Sequence, residues 1–227
     1  MSPPKLVVLY GPDGVGKSTH VEILMDILRS RGYKVRIVWL RGPHTLAFLL
    51  SKMLMKAGRK RSIVNPAGRV KTLPLIGSNR IGKQVWAFIE FISVLPLILI
   101  KVIIPLKLGY IIVADRYVFD VIISTSFYID DLSFVDHRLA KLLKKLIPPD
   151  SLLIHLDTDY NTLRQRRGDS VEAQVFIDFQ KRGYERLSEG YETHYIDTSK
   201  LTIDETSKAI LKIVEYYNQQ TKLDGRL

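Results

Sequence analysis

The sequence predicts an α/β protein of three layers, in which a mainly parallel five-stranded sheet is flanked by helices. Two observations carry this prediction. Short apolar runs rich in β-branched residues alternate with segments of helical spacing, and the first run leads through a glycine-rich loop into an amphipathic helix. With 46% hydrophobic and 25% charged residues, the 227-residue chain has a globular composition, and we expect a single domain over residues 1–227.

The predicted elements alternate along the chain. Each strand is a short apolar run, and each helix shows apolar residues three or four positions apart. Strands are predicted over residues 5–10, 35–40, 111–114, 152–156 and 194–196. Helices are predicted over residues 17–29, 45–56, 136–146, 161–187 and 203–217. Residues 62–82 contain several glycines and prolines and are predicted to be irregular.

Residues 85–104 form the most apolar segment and are near the length of a membrane span, with Glu90, Ser93 and Lys101 as their polar residues. A single crossing would put strands of one sheet on opposite sides of a bilayer. We therefore predict a helix buried in the core or in a dimer interface. The alternative is a helix that faces a membrane or a lipid.

Positive charge is concentrated in one segment. The formal net charge is +11, and between Asp26 and Glu90 there are 14 basic residues and no acidic residue. This local field favours partners that carry phosphates, or an anionic membrane surface. Aromatic residues are sparse among these basic residues, so we expect no nucleic-acid binding. The chain has no cysteine, which excludes disulfides and thiol catalysis, and its N-terminus does not resemble a secretory signal, so we expect a cytoplasmic protein.

Residues 11–18 (GPDGVGKS) match the phosphate-loop pattern G-x-x-x-x-G-K-[ST] between a predicted strand and a predicted helix. Glycines let successive backbone N–H groups point at one anion, and the helix N-terminus adds its positive dipole end. Lys17 is expected to reach the β- and γ-phosphates, and Ser18 to place an oxygen on Mg²⁺. The motif predicts a P-loop NTPase fold that binds ATP or GTP. The predicted nucleotide-binding residues here are Gly11, Asp13, Gly14, Val15, Gly16, Lys17, Ser18 and Thr19.

Asp115 and Arg116 follow the predicted strand at 111–114. A carboxylate at the carboxyl end of a buried parallel strand faces the crevice in which such sheets bind ligands. We expect Asp115 to be the second metal contact, beside Ser18, and Arg116 to bring charge toward the transferred phosphoryl group.

A cluster of arginines lies in a predicted lid over about residues 158–182. The phosphate loop has no basic residue other than Lys17, so further positive charge around the γ-phosphate must come from elsewhere. Arginines on a closing flap would supply it and exclude water, while the alternative is a solvated basic face. The predicted catalytic residues are Lys17, Asp115, Arg116, Arg164, Arg166 and Arg167.

These features, in this order, resemble the thymidylate kinase family, a branch of the nucleoside monophosphate kinases. The resemblance covers about residues 5–215. It rests on GPDGVGKST at 11–19, VWLRGP at 38–43, ADRY at 114–117, LDTD at 156–159 with the arginines that follow, and IDTS at 196–199.

The resemblance implies an ATP-dependent, Mg²⁺-dependent kinase that works as a homodimer on nucleotide substrates. It implies that Asp13 touches the sugar of the acceptor and that Arg41 binds the acceptor phosphate. The acceptor-binding residues that it suggests are Asp13, Arg41, Phe88, Arg116 and Tyr117. The loop beside the adenine is formed by Asp197, Thr198 and Ser199.

The acceptor side departs from the family pattern. The glutamate that the family carries in the turn after its second strand is Gly42 here, and residues 92–97 (ISVLPL) lack the arginine and glutamine that read thymine. By family default the acceptor is dTMP. Two alternatives stay open. One is a lipid-like, non-nucleotide acceptor reached at a membrane surface through the basic segment 27–89, and the other is a nucleotide-dependent switch that acts through partners.

Overall fold

A five-stranded parallel sheet forms the centre of the computed structural model, which describes residues 4–76 and 79–223. In chain order the elements are β1 (Leu6–Tyr10), α1 (Lys17–Ser30), β2 (Val35–Trp39), α2 (Thr45–Lys56), β3 (Lys60–Val64), β4 (Val70–Pro74), α3 (Arg80–Ile98), a π-helical turn (Leu99–Ile103), α4 (Ile104–Lys107), β5 (Ile111–Asp115), α5 (Val118–Tyr128), a 3₁₀ turn (Leu132–Asp136), α6 (Arg138–Lys144), β6 (Ser151–Asp157), α7 (Tyr160–Arg167), a 3₁₀ turn (Gly168–Ser170), α8 (Gln174–Ser188), β7 (Thr193–Asp197) and α9 (Ile203–Leu223).

The central sheet has the strand order β2-β5-β1-β6-β7, and each neighbouring pair is parallel. All five strands lie within one residue of the predicted bounds. Strand β1 is buried between β5 and β6, so the loop that follows it opens at the carboxyl edge of the sheet. This confirms the predicted α/β class with a mainly parallel five-stranded sheet.

Helices cover both faces of the sheet because successive side chains of a strand point to opposite sides. Leu6, Val8 and Tyr10 of β1 join one core cluster, to which α2, α3, α5 and α6 contribute. Val7 and Leu9 join the second cluster, which packs against α1 and α9. The arrangement is the predicted three-layer fold.

Residues 60–74 form an antiparallel hairpin, where the sequence suggested irregular structure. Strand β3 pairs with β4 from Lys60 opposite Pro74 to Val64 opposite Val70. The Asn65 Oδ1 atom accepts hydrogen bonds from the backbone N–H groups of Ala67 and Arg69, and Gly68 takes a positive φ of 76°. The polar, glycine-containing stretch is therefore a hairpin turn. Residues 77 and 78 of the predicted irregular segment lie outside the described residues.

One helical prediction was wrong, and one helix was not predicted. The predicted helix over 161–187 is two helices, α7 and α8, separated at Gly168, where φ is 51°. Helix α5 had no counterpart in the prediction. Nine of its eleven residues are buried, so it lacks the polar face that reveals an amphipathic helix.

Residues 80–107 form a continuous apolar helical rod through Pro96 and the π-helical turn. Within the described residues it is the one helix long and apolar enough to cross a membrane, judged by length and composition. Strand β5, which follows this rod, lies between β1 and β2, which precede it, so the rod cannot cross a bilayer while the sheet is intact. Its inner face is buried, as predicted, and its outer face is exposed.

Candidate active site

The loop between β1 and α1 has the backbone of an anion cradle. Gly11, Gly14 and Gly16 have φ values of 140°, 100° and 94°, which residues with a Cβ rarely adopt. A Cβ on Gly11 would collide with the carbonyl oxygen of Leu156, and one on Gly14 would come within 2.7 Å of the Arg167 side chain. The glycines are thus required by the local backbone and by the close approach of β6 and α7.

Lys17, the first residue of α1, points back into this loop. Its Nζ atom donates to the carbonyl oxygen of Gly11 at 2.7 Å and also to that of Pro12. Burial, and then the nearby Arg116, lower the pKa of Lys17 from 10.5 to about 7. Phosphate oxygens beside the ammonium would favour its charged form.

Ser18 and Asp115 form a pair of oxygen ligands at the end of the loop. Leu9 of β1 is in register with Asp115 of β5, which brings the carboxylate next to α1, and the Ser18 hydroxyl donates to Asp115 Oδ2. The other carboxylate oxygen, Oδ1, is buried without a hydrogen-bond partner among the described residues. Hydroxyl and carboxylate oxygens suit Mg²⁺, so the residues present fit the metal predicted here.

Asp13 is held between two arginines from distant parts of the chain. Arg41 Nη2 donates to Asp13 Oδ2 at 2.7 Å, and Arg116 Nη2 donates to Asp13 Oδ1. Burial opposes ionisation of Asp13, but Arg116, Arg41 and Lys17 hold its pKa below the usual range. The sequence placed Asp13, Arg41 and Arg116 at the acceptor, and the structure brings all three together.

Arg116 is locked in place by a second carboxylate. Its Nη1 atom donates to Asp120 Oδ1 at 2.6 Å, and the Tyr184 hydroxyl donates to the same oxygen at 2.7 Å. Arg116 also has a φ of 73°, an uncommon value for a residue with a side chain. Such strain persists where surrounding contacts fix it and is concentrated at functional sites.

A cavity of about 210 Å³ opens beside this cluster. The residues that line it are Arg41, Gly42, Lys71, Leu73, Ser124, Phe127, Tyr128 and Phe176. Arg41 both lines the cavity and pairs with Asp13 of the phosphate loop, so the cavity adjoins the phosphate loop.

The arginines of the predicted lid differ in their surroundings. Arg166 donates to the Thr198 hydroxyl at 3.0 Å and to the Thr198 carbonyl oxygen, which ties α7 to the loop after β7. Arg167 packs against Gly14 of the phosphate loop. Arg164 is exposed.

The loop after β7 has its own turn. Asp197 Oδ1 accepts a hydrogen bond from the Ser199 backbone N–H at 2.8 Å. The predicted adenine-side residues therefore adjoin the lid helix through Thr198, which binds Arg166.

Two residues placed at the acceptor by resemblance lie elsewhere. Phe88 is 54% exposed on the outer face of α3 and does not line the cavity. Tyr117 is buried in the core, and its hydroxyl donates to the Leu146 carbonyl oxygen at 2.9 Å.

Several site residues were missed by sequence reasoning. Asp120 and Tyr184 orient Arg116, and buried Gln180 accepts a hydrogen bond from the Asp13 backbone N–H at 3.2 Å. Gln180 and Tyr184 are four residues apart on the buried side of α8. A polar pair at this spacing places both side chains on one helix face, and this pattern in the sequence could have revealed them. Lys71 and Phe176 line the cavity from segments that no motif marks.

The geometry defines a P-loop NTPase fold, with a phosphate loop, an oxygen pair for a metal, a cluster of arginines around Asp13 and an arginine-bearing helix packed on the loop. Comparison with known proteins agrees. No protein-family model matches the chain. A curated thymidylate kinase from Neorickettsia sennetsu is 26% identical over 213 residues, which cover 92% of this chain and 93% of the relative.

Among solved structures, thymidylate kinase from Candida albicans matches with a TM-score of 0.61 and 18% identity, over 96% of this chain and 94% of the other. This match shows the fold. The bacterial relative supports the assignment of this chain to the thymidylate kinase family. Neither similar protein is a lipid kinase or a regulatory switch by name, so the two alternative functions gain no support.

Proposed function

We propose that this protein is a cytoplasmic kinase that transfers the γ-phosphoryl group of ATP to a nucleoside monophosphate, with dTMP as the acceptor. The bacterial relative is named as a thymidylate kinase, and this supports the choice of acceptor. The phosphate loop and the lid arginines support a nucleoside triphosphate as the donor, and the similarity to a thymidylate kinase favours ATP.

The observation that carries the proposal is the position of Arg41. This guanidinium lines the cavity and is paired with Asp13 of the phosphate loop, and Arg116 shares the same carboxylate. Phosphoryl transfer is catalysed mainly by placing donor and acceptor phosphates in line and stabilising their charge. Two arginines between the donor loop and a neighbouring cavity suit that task.

Ser18 and Asp115 are the residues that would hold Mg²⁺. When bound, the metal would supply positive charge that neutralises the phosphates of the donor nucleotide. Lys17 would bind the same phosphates from the loop, and Arg166 and Arg167 would add positive charge from the lid.

A coupled ADP-release assay tests the proposal with dTMP, dUMP, dCMP, dAMP and dGMP, each with ATP or GTP. We expect saturable ADP release with ATP and dTMP, and its loss on chelation of Mg²⁺. Arg41→Ala should raise the KM for dTMP, while Arg59→Ala, an exposed arginine outside the cavity, should not. ADP release that is independent of any acceptor would instead favour a switch, and release that requires a polyprenol would favour a lipid kinase.

We also propose that a second copy of this chain covers the outer face of α3. Ile81, Val85, Phe88 and Ile92 are exposed there at spacings of four, three and four residues, which is the spacing of paired helices. Phe88→Glu should convert a dimer to a monomer in sedimentation velocity, whereas Ile203→Glu, at an exposed site on α9, should not. Co-sedimentation of the wild type with anionic vesicles, together with a monomeric state, would contradict the dimer.

A further inference from the structure

The hairpin of β3 and β4, which the proposed function does not use, is docked on the lid. Asn65 Nδ2 donates to the carbonyl oxygens of Asp169 and Val171, both at 2.8 Å. Lys71 Nζ forms an ion pair with Glu172 Oε1 at 2.7 Å. These contacts join a hairpin from the first half of the chain to the segment between α7 and α8.

The same hairpin reaches the cavity beside the phosphate loop. Side chains alternate along a strand, and the more buried positions of β3 and β4 are Arg61, Ile63, Lys71 and Leu73, together with Pro74 at the end of β4. Lys71 and Leu73 line the cavity together with Arg41. The inward face of β4 is thus part of the cavity wall.

Lys71 and Arg41 approach the same aromatic ring. The Lys71 Nζ atom lies 4.6 Å from the centre of the Phe176 ring, and the Arg41 Cζ atom lies 5.9 Å from it. Both cations also act to lower the pKa of Asp13. Two cations from separate segments therefore converge on one small cavity.

Among the residues that the structure describes, each of these cations pairs with one carboxylate. Arg41 is paired with Asp13, and Lys71 with Glu172. The Lys71 and Glu172 side chains are 38% and 27% exposed, and an ion pair in such a setting stabilises little, so it can exchange for a better ligand. A phosphate group carries nearly two negative charges and several acceptor oxygens, so it can bind both cations at once.

We propose that Lys71 is a further acceptor-binding residue, whose ammonium donates to the phosphate of the acceptor beside Arg41 and exchanges Glu172 for it. The inference deepens the proposed function and rests on it. In this proposal the hairpin forms one wall of the acceptor site, provides the Lys71 cation there and also contacts the lid. The ligand chemistry is a phosphomonoester, such as that of a nucleoside monophosphate.

The test compares Lys71→Ala, Glu172→Gln and Lys60→Ala in steady-state ADP release with dTMP and ATP. Lys71→Ala should raise the KM for dTMP about tenfold or more, because losing a hydrogen bond to a charged group weakens binding by about this factor. The KM for ATP should stay unchanged within about twofold. Glu172→Gln should leave the KM for dTMP unchanged or lower it, because Lys71 keeps its charge. Lys60→Ala removes a lysine of the same hairpin outside the cavity and should change neither constant.

Lys71→Arg should restore most of the dTMP affinity. If Lys71→Ala fails to fold, Lys71→Gln replaces it and should raise the KM for dTMP to the same extent. Equal increases of the KM for dTMP in Lys71→Ala and Glu172→Gln would overturn the inference, because Lys71 would then act only as a contact to the lid. An unchanged KM in Lys71→Ala, with an active wild type, would also overturn it. An inactive wild type with every nucleoside monophosphate would overturn the proposed function and the inference together.

Discussion

The buried carboxyl group of Glu90 is predicted to make a contribution to stability that falls as the pH rises. Glu90 lies on α3 and is 1% exposed. Its Oε2 atom accepts a hydrogen bond from the His44 backbone N–H at 3.4 Å, and Oε1 has no partner among the described residues. Burial raises the pKa of Glu90 from 4.5 to about 8, and the His44 hydrogen bond opposes this rise.

The sign follows from which state holds the proton. Between pH 4.5 and about 8 the folded protein keeps a proton on Glu90 that the unfolded chain releases. The contribution to the free energy of unfolding is therefore complete below pH 4.5 and lost as the pH rises to about 8. One pKa unit corresponds to about 1.4 kcal/mol, so the loss over this whole window is on the order of 5 kcal/mol, of which about 4 kcal/mol falls above pH 5.

Glu90→Gln removes this titration while keeping the shape of the side chain. The free energy of unfolding in urea is to be measured for the variant and the wild type at pH 5 and at pH 8.5. We expect the stability of the variant relative to the wild type to increase between these two pH values by on the order of 4 kcal/mol. Glu22→Gln, at an exposed position of α1, should show no such growth.

Neighbouring groups do not produce the same effect. The His44 Nδ1 atom lies 4.0 Å from Glu90 Oε2, and burial lowers the pKa of His44 to about 4, so both groups are neutral near pH 7 and form no ion pair. His44 adds stability as the pH rises from about 4 to 6.5, which is the opposite direction. Burial, and then Glu90, raise the pKa of Tyr128 to about 12, above the window. A difference between variant and wild type that stays constant from pH 5 to 8.5 would refute the reasoning.

Three further predictions concern the active site. Lys17→Ala should lower kcat by at least about a hundredfold, because the ammonium group that binds the phosphates is lost. The melting temperature should not fall, since the variant no longer buries this charge. Turnover within a few-fold of the wild type would exclude the phosphate-loop role of Lys17. Arg166→Ala should lower kcat far more than Arg164→Ala, because Arg166 is fixed to Thr198 by hydrogen bonds, whereas Arg164, which is equally exposed, has no such contact among the described residues; equal effects in a rate assay would indicate a generic basic face. Arg116→Lys cannot keep both carboxylate contacts and should destabilise the protein in urea by about 1–3 kcal/mol, so an unchanged midpoint would contradict the lock on this residue.

The sheet and the phosphate loop could be predicted because their signals are local. A buried parallel strand is a short apolar run, and the loop needs glycines at fixed positions before a lysine at the helix start. Asp115 could be placed at the site for the same reason, since it ends a strand that neighbours β1. Each of these predictions depends on residues adjacent in sequence.

The hairpin and helix α5 could not be predicted because their stability comes from tertiary contacts. Strands β3 and β4 contain few apolar residues, and their hairpin is held by contacts to the lid such as those of Asn65 and Lys71. Helix α5 is apolar on nearly all sides because it is buried between other elements. A periodic pattern appears only where one face of an element meets water.

The contacts of Asp13 show why the acceptor side is harder to predict than the donor side. Its arginine partners are 28 and 103 residues away, and no local pattern specifies that they meet. The resemblance supplied Arg41 and Arg116 but also placed Phe88 at the acceptor, although its side chain lies on the outer face of α3.

Gly42 and Glu90 show how a turn and a distant helix can depend on each other. The turn after β2 lacks the glutamate of the family pattern, and a Cβ built on Gly42 would lie 3.5 Å from Glu90 Oε1 and 3.4 Å from Ser124 Cβ. These are ordinary van der Waals distances, so Glu90 and Ser124 pack directly against the turn, which also lines the cavity at Gly42. The carboxyl group missing from the turn is matched by one that α3 brings to the same place, 48 residues later in the chain. The turn and the helix must be considered together, because the Glu90 carboxyl group of α3 packs against Gly42 of the turn.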